Sequence, residues 1–208
     1  MLRHFLIILL LIKVSTSSVG CRQTSQGPGP SMNISVIVIP IGNLEPKDLE
    51  YLAEQLKAKF GDCTVGDEMD MPTGAYNPQR GQYMSGILLQ RLLEAYAEAP
   101  MDAKILGVTD EDLYSPGLNF VFGQAQMEGQ CAVISLKRLD PAFYGMRSDV
   151  GIFRYRMMKE AVHELGHTLG VEHCPNRLCV MHFSNSLRDT DVKKDWFCKR
   201  CLARPGWN

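Results

Sequence analysis

The chain has 208 residues, of which 45% are hydrophobic, 22% charged and 8% aromatic. These fractions are those of an ordinary globular domain, and they exclude a disordered chain, a collagen-like chain and a polytopic membrane protein. Lys and Arg number 22 and Asp and Glu number 23, which gives a net charge of −1. A chain so close to neutrality lacks the excess of basic residues that binds polyanions, so we expect no nucleic-acid partner.

The first 31 residues are expected to lie outside the fold. Arg3 precedes an apolar run from Phe5 to Ile12, which is too short to span a bilayer but fits the hydrophobic region of a signal peptide ending near Cys21. The alternative is a mis-assigned start, with translation beginning at Met32. The first interpretation predicts an exported or lipid-anchored protein, and the second predicts a cytoplasmic one. Both leave residues 32–208 as the folded part, without a transmembrane span.

Strand and helix patterns alternate along the first part of this folded region. The predicted elements are a strand over 34–39, a helix over 46–60, a strand over 63–69, a loop over 70–81, a helix from 84 that ends before Pro100, and strands over 104–108, 118–125 and 131–136. Alternation of this kind favours an α/β sheet with crossover helices. The last two strands are expected to pair as a hairpin or across a longer loop.

A further helix carries the residues with the clearest chemistry. Ser148-Asp149 supplies its N-cap, and its apolar pattern continues to about Leu169. His163 and His167 lie four residues apart on one helical face, so both imidazoles can reach one metal ion. Glu164 is rotated from His163 by about 100°. Its carboxylate therefore stands beside the metal, where a base can take a proton from a metal-bound water.

Gly170 and His173 extend this motif. Glycine adopts the left-handed conformation that ends a helix, so the chain can turn back and bring in a third imidazole. Three nitrogen ligands leave one position of a tetrahedral zinc open, which is typical of a catalytic site. The alternative is a surface helix with incidental histidines. It is disfavoured because the extended string fixes five residues, three of them histidine.

Four of the seven cysteines form a second group at the spacing of a zinc site, Cys-x4-Cys followed by Cys-x2-Cys. The four are Cys174, Cys179, Cys198 and Cys201. Four thiolates leave zinc no open position, so this metal is expected to order a tail that has few apolar residues. The alternative is two disulfides, which would require an exported chain. Cys63 and Cys131 are predicted to be buried thiols.

The string from His163 to Met181, followed by Cys198 and Cys201, resembles the archaemetzincin family of metzincin zinc peptidases. The resemblance implies an α/β (α+β) metzincin-like zincin fold, which has a mixed twisted sheet, a backing helix and an active-site helix. An upper subdomain would span residues 32–170. Residues 171–208 would form a small Cys-rich lower subdomain that zinc stabilises.

The resemblance also implies a role for each motif residue. His163, His167 and His173 would bind the catalytic zinc, and Glu164 would be the general base. Met181 would lie beneath the zinc ligands. A second, structural zinc would be bound by Cys174, Cys179, Cys198 and Cys201. The run over residues 118–125 would be the edge strand along which an extended peptide lies.

The predicted function is therefore that of a zinc metallopeptidase, a monomer with two Zn²⁺ per chain that acts on peptide or protein substrates. Two alternatives stay open: a zinc-bearing binding or scaffold protein with little or no turnover, and a non-peptide zinc amidohydrolase. The presence of Glu164 favours catalysis, because a purely structural site has no use for a carboxylate beside the metal.

Other polar residues near the motif receive weaker assignments. Three charged residues of the active-site helix are predicted to form its exposed face: Arg154, Arg156 and Lys159. His182 follows Met181, but three histidines already suffice to hold the metal. Tyr144 and Tyr155 are candidates for a hydrogen bond to the oxyanion that forms during hydrolysis.

Overall fold

The computed structural model describes residues 33–203, so the segment predicted as a leader lies outside the described residues. The strands are β1 (Ile34–Pro40), β2 (Gly61–Val65), β3 (Tyr76–Asn77), β4 (Gln82–Met84), β5 (Lys104–Thr109), β6 (Leu113–Tyr114), β7 (Gly123–Ala125) and β8 (Cys131–Ser135). The helices are α1 (Pro46–Phe60), α2 (Ser85–Ala95), α3 (Val150–Thr168), α4 (Leu187–Val192) and α5 (Lys199–Leu202). Two 3₁₀ turns, Lys137–Leu139 and Pro141–Tyr144, precede α3. Of these helices, none combines the length and the apolar character needed to cross a membrane.

A five-stranded mixed sheet forms the centre of the molecule. Its strand order is β2-β1-β5-β8-β7. The first four strands run parallel, and β7 is antiparallel to β8 at the edge. Strands β3, β4 and β6 form a separate small sheet. The predicted α/β class with a mixed sheet is confirmed, as is the pairing of the last two strands.

Helices cover both faces of the main sheet, because successive strand side chains point to opposite faces. On one face, Val36 and Val38 of β1 pack in a core cluster that includes apolar residues of α1 and α3. On the other face, Ile39 packs in a cluster with residues of α2. The inner parallel strands β1, β5 and β8 are thus largely buried on both faces, which explains why they form nearly continuous apolar runs in the sequence. The edge strand β2 is mostly exposed and lacks such a run.

Two predicted strands have different bounds in the structure. The strand predicted over 63–69 is β2, which begins at Gly61 directly after α1 and pairs with β1 only as far as Val65. Of the run predicted over 118–125, only β7 pairs in the ladder. Phe120 and Phe122 owe their apolar pattern to packing, since their rings meet edge to face at 5.1 Å. The predicted loop over 70–81 contains the two-residue strand β3.

Helix α3 has the predicted extent. The Asp149 carboxylate accepts a hydrogen bond from the Ile152 amide at 2.9 Å, which is the N-cap interaction that the sequence indicates. The half of the helix that carries the histidines is buried, from Arg156 to Thr168. This burial places His163 and His167, two of the three candidate metal ligands, inside the protein.

The predicted exposed face of α3, formed by Arg154, Arg156 and Lys159, is wrong. Arg156 is only 5% exposed and Lys159 only 1% exposed. Arg156 pairs with both carboxylate oxygens of Asp191 at 2.7 and 2.9 Å, and Lys159 Nζ donates to the Thr190 carbonyl at 2.9 Å. Arg154 is partly buried against Asp48. The helical pattern could not reveal these contacts, because the partners of the two buried cations lie more than 30 residues downstream.

Candidate active site

The three motif histidines converge at the end of α3. The rings of His163 and His167 lie one turn apart, with their centroids at 4.7 Å and their Nε2 atoms at 3.1 Å. Gly170 has φ = +82° and turns the chain back after the helix. The turn brings the His173 ring to 5.4 Å from His163 and 4.8 Å from His167. One ring nitrogen from each histidine lies within 4.8 Å of the others.

Backbone carbonyls orient two of these rings. His163 Nδ1 lies 2.7 Å from the Val180 carbonyl oxygen, and His167 Nδ1 lies 2.7 Å from that of Val171. Because a carbonyl can only accept, Nδ1 carries the proton in each ring, and Nε2 of the neutral ring keeps its lone pair. Two lone pairs that face each other at 3.1 Å repel unless a cation lies between them. This donor set therefore fits a metal ion.

The electrostatics of the site keep these rings neutral. Burial lowers the pKa of His163 well below its usual value, and the charge of Lys193 lowers it further. Burial, with a smaller effect of His173, lowers the pKa of His167 to about 4. The pKa of His173 itself is also lowered, chiefly by burial. The imidazoles are thus ready to bind a cation at neutral pH without first losing a proton.

Glu164 is buried beside the histidines. Burial raises the pKa of its carboxyl group to about 8; the neighbouring Glu160 raises it as well, whereas Lys193 lowers it. Its carboxylate lies against Gly123 of β7, where a Cβ atom would come within 2.6 Å of the Glu164 Cγ. The candidate base is thus held between its own helix and the edge strand of the sheet.

A cleft of about 230 Å³ opens beside this carboxylate. One wall is the segment 117–123, which includes most of the predicted edge run and leads into β7. The opposite wall consists of Phe183, Ser184 and Asn185, and α3 contributes Glu160 together with His163 and Glu164. An extended ligand lying along the edge segment would therefore pass directly over the candidate base.

Met181 packs against α3 at Gly166. It is fully buried, and its carbonyl accepts a hydrogen bond from the Cys174 amide at 2.8 Å. A Cβ atom on Gly166 would lie 2.4 Å from Met181 Sδ and 2.9 Å from a ring carbon of Phe197. The glycine between the two helical histidines is thus required by the close packing of these side chains.

The four C-terminal cysteines form a compact group next to the histidines. The Sγ distances are 3.7 Å for Cys174–Cys198, 3.7 Å for Cys179–Cys201 and 3.8 Å for Cys198–Cys201. Four sulfurs around a tetrahedral zinc with bonds of about 2.3 Å would lie about 3.8 Å apart. All four are free thiols, so the alternative of two disulfides is not realised in the described residues. The group fits a second metal ion.

Cys63, Cys131 and the other polar candidates lie outside both groups. Cys63 and Cys131 are buried as predicted, and burial raises their thiol pKa values to about 12 and about 11. The His182 ring hydrogen-bonds through Nδ1 to the Cys174 carbonyl at 3.0 Å. Neither Tyr144 nor Tyr155 is among the residues that line the cleft, so the structure does not support either as the oxyanion donor.

Three residues at the site were not identified from the sequence. Glu160 lies four residues before Glu164 and shares its helical face, a spacing that could have pointed to it. Gly123 offered no signal, since its role depends on contact between a strand and a helix. Lys193 is completely buried with its Nζ 3.1 Å from Glu160 Oε1. No local pattern links two residues so far apart in the chain.

Comparison with known proteins identifies the family and supports this description of the fold. The model of peptidase family M54 matches residues 54–204. The archaemetzincin of Methanocaldococcus jannaschii is 41% identical over 174 residues, which are 83% of this chain and 93% of the relative. The crystal structure of archaemetzincin from Archaeoglobus fulgidus has a TM-score of 0.70 at 37% identity, covering 82% of this chain and 99% of that one. A zinc-dependent peptidase from Methanocorpusculum labreanum has a TM-score of 0.72 at 29% identity, covering 80% of this chain and 97% of that one.

The mixed sheet, the histidine helix and the returning third histidine define a metzincin-like zinc metallopeptidase. More particularly, the chain belongs to peptidase family M54, with archaemetzincins matching it over most of its length. The resemblance drawn from the motif is thereby confirmed, and the protein is a hydrolase.

Proposed function

We propose that this chain hydrolyses peptide bonds with zinc held by His163, His167 and His173 and with Glu164 as the general base. The observation that carries this proposal is the pair of Nε2 atoms 3.1 Å apart, each in a ring fixed through Nδ1, beside a buried carboxylate. Zinc bound there supplies Lewis acidity, which makes water more acidic and polarises a peptide carbonyl.

Glu164 performs the proton transfers. Its carboxylate accepts a proton from the attacking water and later passes it to the nitrogen of the leaving amine. Burial favours the protonated form that must exist between these two steps, and the contact with Gly123 fixes the position of the carboxylate. The base is therefore held in place before the substrate binds.

The edge of the main sheet orients the substrate. Strand β7 ends the sheet and pairs only with β8 within it, so its outer edge can hydrogen-bond an extended peptide. The segment 117–123 lines the cleft on the same side. A peptide aligned there would present a backbone carbonyl to the histidines and to Glu164.

The four-cysteine group is proposed to hold the second zinc, with a structural role. Cys174 directly follows His173, and Cys179 directly precedes Val180, whose carbonyl orients His163. A metal at the cysteines would thus fix the two backbone segments that place the histidines. Elemental analysis of the purified protein should give two zinc atoms per chain.

The Glu164→Gln variant tests the catalytic role. The substitution keeps the size of the side chain and leaves the histidines unchanged, so the zinc content should be that of the wild type. Cleavage of a mixed peptide library, followed by mass spectrometry, should slow by about 10²–10⁴-fold, the usual contribution of a general base. Glu50→Gln, at an exposed position of α1, is the matched control and should cleave at the wild-type rate.

Equal rates for the wild type and Glu164→Gln would refute the role of Glu164. A wild-type protein that holds two zinc atoms but cleaves no peptide would instead favour the scaffold interpretation or a non-peptide substrate.

A further inference from the structure

A buried ion pair lies at the cleft. Lys193 is 0% exposed and Glu160 is 2% exposed, and their Nζ and Oε1 atoms are 3.1 Å apart. Glu160 lines the cleft together with His163 and Glu164. Removing two charges from water is costly, and stability alone seldom accounts for such a pair. Its position beside the candidate catalytic residues therefore calls for a functional explanation.

The polar groups at this end of the cleft have unused hydrogen-bonding capacity. The Glu160 carboxylate accepts a hydrogen bond from the Thr190 hydroxyl at 2.9 Å. Lys193 Nζ approaches the same carboxylate without hydrogen-bond geometry, and within residues 33–203 no other acceptor partners it. Lys193 is not among the residues that line the cleft, so it acts on the cleft through Glu160. The Ser184 hydroxyl, on the facing wall, is also shielded from solvent and lacks a partner in that same range. A buried donor without an acceptor is unfavourable. A ligand that accepts a hydrogen bond from such a donor would therefore bind more tightly.

We propose that Glu160 and Ser184 form a polar floor of the cleft, with Lys193 behind Glu160 balancing its charge, and that this floor selects a neutral substrate side chain carrying both a donor and an acceptor, namely glutamine or asparagine. This inference rests on the proposed peptidase function. The primary amide can offer its oxygen to the Ser184 hydroxyl and its NH₂ group to the Glu160 carboxylate. Aromatic rings of the walls, such as Phe183, can flank the aliphatic part of the side chain.

Other side chains fit this floor less well. A lysine or glutamate side chain would be attracted by one member of the ion pair and repelled by the other, and it would lose its hydration in the cleft. A leucine side chain would leave the floor unsatisfied. A site built from hydrogen-bonding groups discriminates strongly against analogues that lack the matching groups.

The ion pair also joins two elements of the fold, because Glu160 lies on α3 and Lys193 follows α4 directly. A second ion pair, Arg156–Asp191, joins the same two elements at 2.7 and 2.9 Å. Neither of its members lines the cleft. The Asp191→Asn variant is therefore a matched control that weakens the connection between the elements without changing the charge of the cleft floor.

Specificity constants for sets of four peptides test the proposal. The peptides of one set share a cleaved sequence and carry Gln, Leu, Glu or Lys at one residue flanking the cleaved bond, and each flanking position has its own set. At one of these positions the wild type should prefer Gln by about tenfold or more. Lys193→Met leaves the negative charge of Glu160 without its partner and should shift the preference toward Lys. Glu160→Gln leaves the positive charge of Lys193 without its partner and should shift the preference toward Glu.

A variant without either charge covers the case in which a single variant does not fold. Replacing a buried ion pair by apolar residues is often neutral or stabilising, so Glu160→Leu combined with Lys193→Met should fold. Its preference should change from Gln to Leu. Asp191→Asn should lower the melting temperature but keep the wild-type ratios among the four peptides.

The proposal is overturned if the wild type shows no preference for Gln, or if the charge variants lower kcat/KM equally for all four peptides. In either case the wild type still cleaves peptides, so the proposed function stands. Failure of the proposed function has a different signature, since the wild type and Glu164→Gln would then cleave the library equally or not at all.

Discussion

Gly123 of β7 and Glu164 of α3 are in direct contact across the boundary between the sheet and the helix. A Cβ atom at Gly123 would lie 2.6 Å from Cγ and 2.7 Å from Oε1 of Glu164. The edge strand that is proposed to align the substrate therefore also limits where the proposed base can stand. Substrate alignment and the position of the base are therefore coupled, because the Glu164 side chain occupies the space that a Cβ atom of residue 123 would need.

Gly123→Ala is expected to displace the Glu164 carboxylate. A misplacement of about 1 Å can cost about 10²-fold in rate, so we expect kcat to fall by about 10- to 100-fold while the zinc content stays unchanged. The rate of peptide cleavage and elemental analysis measure the two effects. Gly86→Ala is the control, because no atom lies within 4 Å of the Cβ position at Gly86. Similar kinetics for both variants would contradict the positional role of Gly123.

Gly166→Ala is expected to destabilise the protein, although alanine is the better helix former. The helix preference favours alanine by about 1 kcal/mol. Overpacking against Met181 Sδ, at 2.4 Å from the new Cβ, should cost about 1–3 kcal/mol. Denaturant unfolding of Gly166→Ala, Met181→Ala and the double variant measures the coupling between the two positions. Additive changes in the free energy of unfolding would show that these residues do not compete for space.

Much of this site follows from local patterns in the sequence. The spacing of His163 and His167 requires only helical geometry, and Asp149 and Gly170 indicate where the helix begins and turns back. The inner parallel strands β1, β5 and β8 are recognisable because burial on both faces gives continuous apolar runs.

Other features depend on contacts between distant segments. The sequence pattern indicates that Arg156 and Lys159 lie on an exposed helical face. In the structure they instead contact residues of α4. Glu160 acquires its partner Lys193 from 33 positions further along the chain. In each case the deciding partner belongs to another part of the fold, where the local pattern carries no information about it.

Cys198→Ser is expected to remove one zinc atom per chain and to lower stability before it affects chemistry. Structural zinc sites contribute directly to folding free energy, and losing about 3 kcal/mol would lower the melting temperature of a protein of this size by about 6–12 °C. Cys63→Ser is the control, because this buried thiol lies outside both metal-binding groups. It should keep both zinc atoms. An unchanged melting temperature and full zinc content in Cys198→Ser would contradict the structural site.

Metal binding by the histidines should persist well below neutral pH. A proton competes with a metal ion for an imidazole only when the pH falls below the pKa of that imidazole. Because burial lowers the pKa of His167 to about 4 and that of His163 well below its usual value, the site should keep its metal at pH 5.5 and lose it nearer pH 4. Cobalt-substituted protein allows the measurement, since thiolate-to-metal charge-transfer absorption reports the cysteine group separately from the histidine group. Loss of the histidine-bound metal with a midpoint near pH 6.5 would show that the rings titrate as exposed histidines do.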